Sequence, residues 1–176
     1  VEGLTYPTGR IPLEDTVGVA ASYESPFPIE DHAALLPMQD QRWNAPKKYD
    51  RYDRELIEGD EGAFLSDDAH LAPALIRTDN DIIQSRVGVT IPYTLRKDYR
   101  WTTIEDGRRA VIARTWAEEH GCSGDDGDGG NCLELSFSVD LFLEDEDGDT
   151  LRMTSSWNRL SLVINLSDDF QIAQLA

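Results

Sequence analysis

Apolar residues recur at every second position along several stretches of the second half of the chain. The clearest is Leu133 to Leu143, where Leu133, Leu135, Phe137, Val139, Leu141 and Leu143 alternate with Glu134, Ser136, Ser138, Asp140 and Phe142. A period of two puts the first set on one face of a strand and the mostly polar set on the other, as in a half-buried antiparallel strand. Val87, Val89, Ile91, Tyr93 and Leu95 repeat the pattern. Pro92 lies inside that stretch and cannot donate to a ladder, which predicts a sheet edge or a bulge there.

Arg109 to Glu118 is a third strand whose parity is less decided. Ala110, Ile112, Arg114 and Trp116 share one face, and Val111, Ala113, Thr115 and Ala117 the other. If the large residues face inward, Arg114 needs a carboxylate or a ligand to compensate it. The simpler reading has both faces apolar and Arg114 at the strand's wet end, its stem snorkelling. A reversal around Asp147-Gly148 then returns the chain through Leu151, Met153, Ser155 and Trp157. Beyond it, Leu160, Leu162, Ile164 and Leu166 carry the opposite parity. That switch predicts a bulge or bend at Asn158-Arg159. Phe170, Ile172 and Leu175 suit a last short strand or a docked tail.

The first half has little such rhythm and seven of the eight prolines: Pro7, Pro12, Pro26, Pro28, Pro37, Pro46 and Pro73. Each fixes φ and removes a donor, which argues against long regular elements. Residues Glu2 to Leu13 read as extended and turn-rich. Val17 to Tyr23 predicts a short strand, and Asp31 caps a brief helix ended by Pro37. Tyr49 to Gly59 predicts a helix, from the spacing of Tyr52, Glu55 and Leu56 and a terminal glycine. Asp67 or Asp68 caps a further short turn before Pro73.

The fold class expected is mainly β: an antiparallel barrel or sandwich of four to six strands in residues 86–176, with an irregular, Pro-rich N-terminal half carrying short helices. A length of 176 residues suits a single domain. In it, residues 1–85 either cover the sheet or act as an arm reaching a neighbouring subunit.

Charge narrows the partners. The chain carries 34 acidic and 16 basic residues, net −18. Of these, 17 acids and 7 bases fall in residues 1–85, so the acidity is spread and does not form a tail. Such a surface repels nucleic acid and anionic lipid. It suits either a high-salt habitat, where screening acts over a few ångströms, or simple solubilisation. No window offers the run of about 20 apolar residues that a membrane span requires. The chain starts at Val1 without a signal peptide, which fits a removed leader or a trimmed chain equally.

Cys122 and Cys132 flank a loop with four glycines and predict a disulfide that pins a hairpin, hence an extracellular or periplasmic location. With His120 they make only three candidate zinc ligands, so no metal site is expected. Asp125-Asp-Gly-Asp128 and Asp145-Glu-Asp-Gly-Asp149 invite calcium, but neither matches the helical calcium loop, and Asp and Gly are ordinary turn residues. No cofactor is expected. His32, His70 and His120 share no ligand spacing, and no nucleophile elbow, phosphate loop, dinucleotide fingerprint or zinc-protease motif occurs.

Without a catalytic motif, an enzyme ranks last. The aromatic residues on the predicted sheet, with Arg114, suggest a non-catalytic secreted module holding a small apolar ligand in a barrel or cup. Its candidate ligand-binding residues are Tyr93, Arg114, Trp116, Phe137 and Trp157. The alternative is a structural subunit of an extracellular filament, sheath or virion. Its N-terminal arm would add to the strand containing Pro92.

Overall fold

The structure is a computed structural model and describes residues 16–42, 49–71, 74–86, 89–123 and 130–161. The fold is mainly β, one antiparallel sheet with few helices, consistent with the barrel, cup or sandwich class expected. In chain order the elements are β1 (Val17–Ser25), α1 (Ile29–Leu35), β2 (Tyr49–Gly59), α2 (Glu61–Phe64) and β3 (Leu75–Arg86). They continue with β4 (Val89–Thr103), β5 (Arg109–Ala117), β6 (Gly121–Cys122), β7 (Cys132–Glu144) and β8 (Thr150–Ser161). The strands are ordered β1-β8-β7-β5-β4-β3-β2, with β6 added to β7. Five strands therefore come from residues 86–176, and β1, β2 and β3 join the same sheet from the N-terminal half. That half is more regular than its prolines suggested, because the prolines cluster between strands and leave 49–59 and 75–86 free of them.

Four local expectations are corrected. Residues 49–59 form strand β2 and not a helix: β3 satisfies the backbone ladder of β2 from Tyr49↔Gln84 to Gly59↔Ile76. Gly59 has φ +97°, and a Cβ there would stand 2.0 Å from the carbonyl oxygen of Leu75, so it closes a strand end and caps no helix. Helix α1 begins before Asp31, with Pro28 in the cap position and no side-chain cap. The parity switch near Asn158-Arg159 is absorbed by the partner strand, as a register shift between Leu133 and Leu135 of β7 opposite Leu160 and Arg159.

The fourth concerns Pro92. Strand β4 is interior, between β3 and β5, not an edge. The ladder with β5 runs from Leu95 to Thr103 and stops short of Pro92. Thr94 accepts from Glu118 N–H on the β5 side (3.3 Å). Pro92 has the same parity, so its missing N–H points past the end of that ladder, on the side of β6, whose ladder is with β7. Its carbonyl faces β6, where a Cβ on Gly121 would come within 2.3 Å of it. Among the described residues, the strand order ends instead at β1 and β2.

The two faces differ in what they carry. Residues sharing a face with Ile76, Tyr99, Trp101, Val111, Ala113 and Phe142 meet Ile29 and Ala33 of α1 and Phe64 of α2 in one buried cluster. Trp101 donates its indole N–H to the Phe64 carbonyl (2.9 Å) inside it. This is the helix face. The alternating stripe Leu135, Phe137, Val139, Leu141 and Leu143 occupies the opposite face, since the register pairs Phe142, not Leu141 or Leu143, with Val111. The disulfide expected between Cys122 and Cys132 is present, joining directly paired residues of β6 and β7.

Candidate ligand site

Beyond the cluster around Phe64, the helix face changes character. The register lays out three neighbouring rungs across β2, β3 and β4: Tyr52–Ile82–Tyr93, Arg54–Asn80–Leu95 and Leu56–Thr78–Lys97. The first is apolar. Tyr52, Ile82 and Leu95 are buried together, with Tyr49, Tyr93 and Ala117 packed against them. The other two put polar groups in the middle of a sheet, a costly arrangement unless each is hydrogen-bonded.

Most of them are. Asn80 is fully buried; its amide donates to Thr78 Oγ1 and to the Leu95 carbonyl, both at 3.0 Å. Its Oδ1 accepts from the Tyr52 hydroxyl at 2.8 Å. Lys97 Nζ donates to that hydroxyl (2.9 Å) and to Gln41 Oε1 (2.8 Å), and it sits 5.3 Å from the Tyr52 ring centre. Gln41 reaches over the face from the segment after α1, anchored by its own amide on the Leu36 carbonyl (2.7 Å). Burial pushes the pKa of Tyr52, and likewise that of Tyr99, well above the ordinary phenol value, so both hydroxyls remain protonated.

Arg54 is the exception. Its side chain is only 3% exposed, and Nη1 pairs with Glu61 Oε1 of α2 at 2.7 Å. Its Nε and Nη2 are buried and make no hydrogen bond, the only such side-chain atoms among the described residues. A buried donor left unmade costs roughly 1–3 kcal/mol, more when the group is charged. Nε and Nη2 also lie on one edge of the guanidinium, the fork that a carboxylate or phosphate bridges with two parallel hydrogen bonds.

The residues selected from the sequence are divided between the faces. Only Tyr93 lies on the helix face, its hydroxyl donating to Gln84 Oε1 at 2.7 Å. Trp116, Phe137 and Trp157 are consecutive partners across β5, β7 and β8 on the opposite face. Phe137 and Trp157 stack at 5.5 Å, and Gly18 of β1 leaves room for the Trp157 indole, its Cβ position being 3.1 Å from that ring. Trp116 and Phe137 are 5% and 4% exposed and form a buried cluster with Leu135, against which Val139 and Trp157 pack.

Arg114 belongs to the same face and does not sit at a wet end. It is in the middle of β5, stacked 4.7 Å over Trp116, with Nη2 on Asp98 Oδ2 at 2.5 Å. Asp98 is the compensating carboxylate, and it also takes Arg77 Nε at 2.7 Å. Arg77 continues to Glu58 (2.6 Å), so an ionic ladder crosses β2 to β5. Burial pushes the Asp98 carboxyl up, but the Arg77 and Arg114 hydrogen bonds outweigh it and hold its pKa below the ordinary value.

Of the two acidic loops, the one at residues 145–149 is described. Asp145 Oδ1 accepts the backbone N–H groups of Asp147 and Asp149, both at 2.9 Å, so it builds its own turn. Asp125 to Asp128, like Leu162 to Leu175, lies outside the described residues. No group of three or more His, Cys, Asp or Glu suited to a metal occurs among the described residues. His32 packs on Phe142, with ring centres 5.5 Å apart, and meets Ser25 Oγ at 2.9 Å.

Arg54 was not foreseen. It sits in Asp50-Arg51-Tyr52-Asp53-Arg54-Glu55, a charged run that reads as a solvated face, and only its shared parity with Tyr52 hints otherwise.

No protein-family model matches the chain, and no curated protein matches it. Among solved structures, one titled "Crystal structure of Ara h 8.0201" is similar over 90% of this chain and 88% of that one, with 13% identity and a TM-score of 0.44. That likeness is too loose to carry a function across.

Proposed function

We propose that this chain is a non-catalytic, exported β-sheet module that holds a small, largely apolar molecule against the helix face of its sheet. The apolar body lies over the rungs of Tyr52, Ile82, Tyr93 and Leu95, and the polar end reaches Arg54. The observation that carries this reading is the buried, hydrogen-bond-free edge of Arg54 beside that apolar cluster. Folded proteins satisfy such groups unless the site serves something else. In this reading Tyr93 is a ligand-binding residue, whereas Arg114, Trp116, Phe137 and Trp157 pack the opposite face. The Cys122–Cys132 disulfide supports an oxidising, extracellular or periplasmic compartment. No helix among the described residues is long and apolar enough to cross a membrane.

Titration with a neutral apolar dye such as N-phenyl-1-naphthylamine tests the module directly. A saturable fluorescence gain, displaced by unlabelled amphiphiles, is the expected result. An absence of saturable binding by this dye and by an anionic naphthalene dye would overturn the reading.

A further inference from the structure

From the same site we infer the ligand's chemistry: a carboxylate-bearing amphiphile whose carboxylate bridges Nε and Nη2 of Arg54. The inference rests on the helix-face binding reading above and adds the headgroup to it.

Two observations converge on that chemistry. The free edge of Arg54 presents two parallel N–H donors and no acceptor, so its partner must be an acceptor with two oxygens at matching spacing. A carboxylate meets that requirement with the same charge complement that Asp and Glu give arginine elsewhere. The carboxylate that pairs with Arg54, Glu61, is committed to Nη1 and is itself 41% exposed. It anchors the guanidinium in place without filling the fork.

The surroundings exclude a purely inorganic anion as the best fit. Arg54 shares its rung with Asn80 and Leu95, and the adjoining rung Tyr52–Ile82–Tyr93 is apolar. A bare anion would leave that cluster untouched, whereas an alkyl or aryl body attached to the carboxylate lies along it. The net charge of −18 works against the capture of free anions from solution and leaves selection to short-range contacts. Lys97, on the rung beyond Arg54, donates to the Tyr52 hydroxyl and to Gln41 Oε1.

The test is calorimetric titration of the full chain with decanoate and with decan-1-ol, matched in length and differing in the headgroup. Decanoate is expected to bind one per chain and at least tenfold tighter than decan-1-ol. Arg54→Met should abolish that preference while leaving the unliganded melting temperature unchanged or higher, because removing two buried donors without a partner offsets the loss of the Nη1 pair with the 41% exposed Glu61. Arg54→Lys should keep only part of the preference, since an ammonium cannot bridge two oxygens in the same way. Equal affinity for the two probes would overturn the carboxylate assignment and leave the binding module standing. If neither probe binds, the module reading falls, and this inference with it. The wild-type comparison needs no variant, so a misfolded Arg54→Met would not remove the test. Inorganic phosphate serves as the third arm: binding as tight as decanoate's would show a simple anion site and overturn the amphiphile.

Discussion

Replacing Asp98 by alanine is expected to cost about 3 kcal/mol of folding stability at neutral pH, read from urea denaturation. The size follows from what is left behind. The Asp98 side chain is 10% exposed and holds two guanidinium groups. Arg77 retains Glu58 and is 31% exposed, so solvent screens much of its share. Arg114 has a 15% exposed side chain on the sheet face and carries most of the loss. Adding Arg114→Met to the alanine variant should recover a large part, since removing both charges from a buried pair is far less costly than removing one.

The same residue gives acid sensitivity. Its folded pKa is depressed, so its contribution is fully present above the unfolded value of about 3.9 and is lost as pH falls through the folded value. The gap between wild type and Asp98→Ala should therefore narrow on acidification below about pH 4. A cost under 1 kcal/mol at neutral pH, or a gap that widens in acid, would contradict the ladder's assigned role.

Phe64→Ala is expected to cost about 3–5 kcal/mol. Phe64 is fully buried between α2 and the sheet, tilted against Tyr99 at 6.5 Å and Trp101 at 6.2 Å. Helix α2 has four residues and cannot persist alone, so this ring is its main attachment. The Asp60 cap on Ala63 N–H (2.7 Å) fixes its start but buries nothing. Losing the ring also frees Glu61 from its position beside Arg54, which ties the core to the candidate site. Leu65→Ala is the control: that side chain is 49% exposed, and the expected change is within about 0.5 kcal/mol. Equal losses for the two variants would show that α2 is not held through Phe64.

How far the sequence could be read depended on which residues carried the pattern. Strand β7 was legible because its alternating set is apolar, whereas in β5 both faces carry apolar residues and the parity stayed undecided. Strand β2 was misread because Tyr52 and Leu56 satisfy both a helical and an extended spacing. What decides between them is a partner strand whose inward residues include Thr78 and Asn80, polar and therefore silent in a hydrophobicity pattern. Pro92 pointed to an edge because the sequence does not say where the neighbouring strand stops. Parity placed Phe137 and Trp157 together correctly, yet Tyr93 fell on the other face, since faces can be compared across strands only when the register is known. Cys122 and Cys132 needed no register, only a short glycine-rich loop. Arg54 is the opposite case: its meaning comes from the burial of two nitrogens, which no spacing encodes.

The location of the ligand is tested most directly by amide chemical-shift changes in a ¹⁵N-labelled protein titrated with decanoate. The largest changes are expected at Tyr52, Arg54, Asn80 and Leu95, with residues 116, 137 and 157 little affected. Changes centred on Trp116, Phe137 and Trp157, or none at saturating decanoate, would contradict a binding site on the helix face.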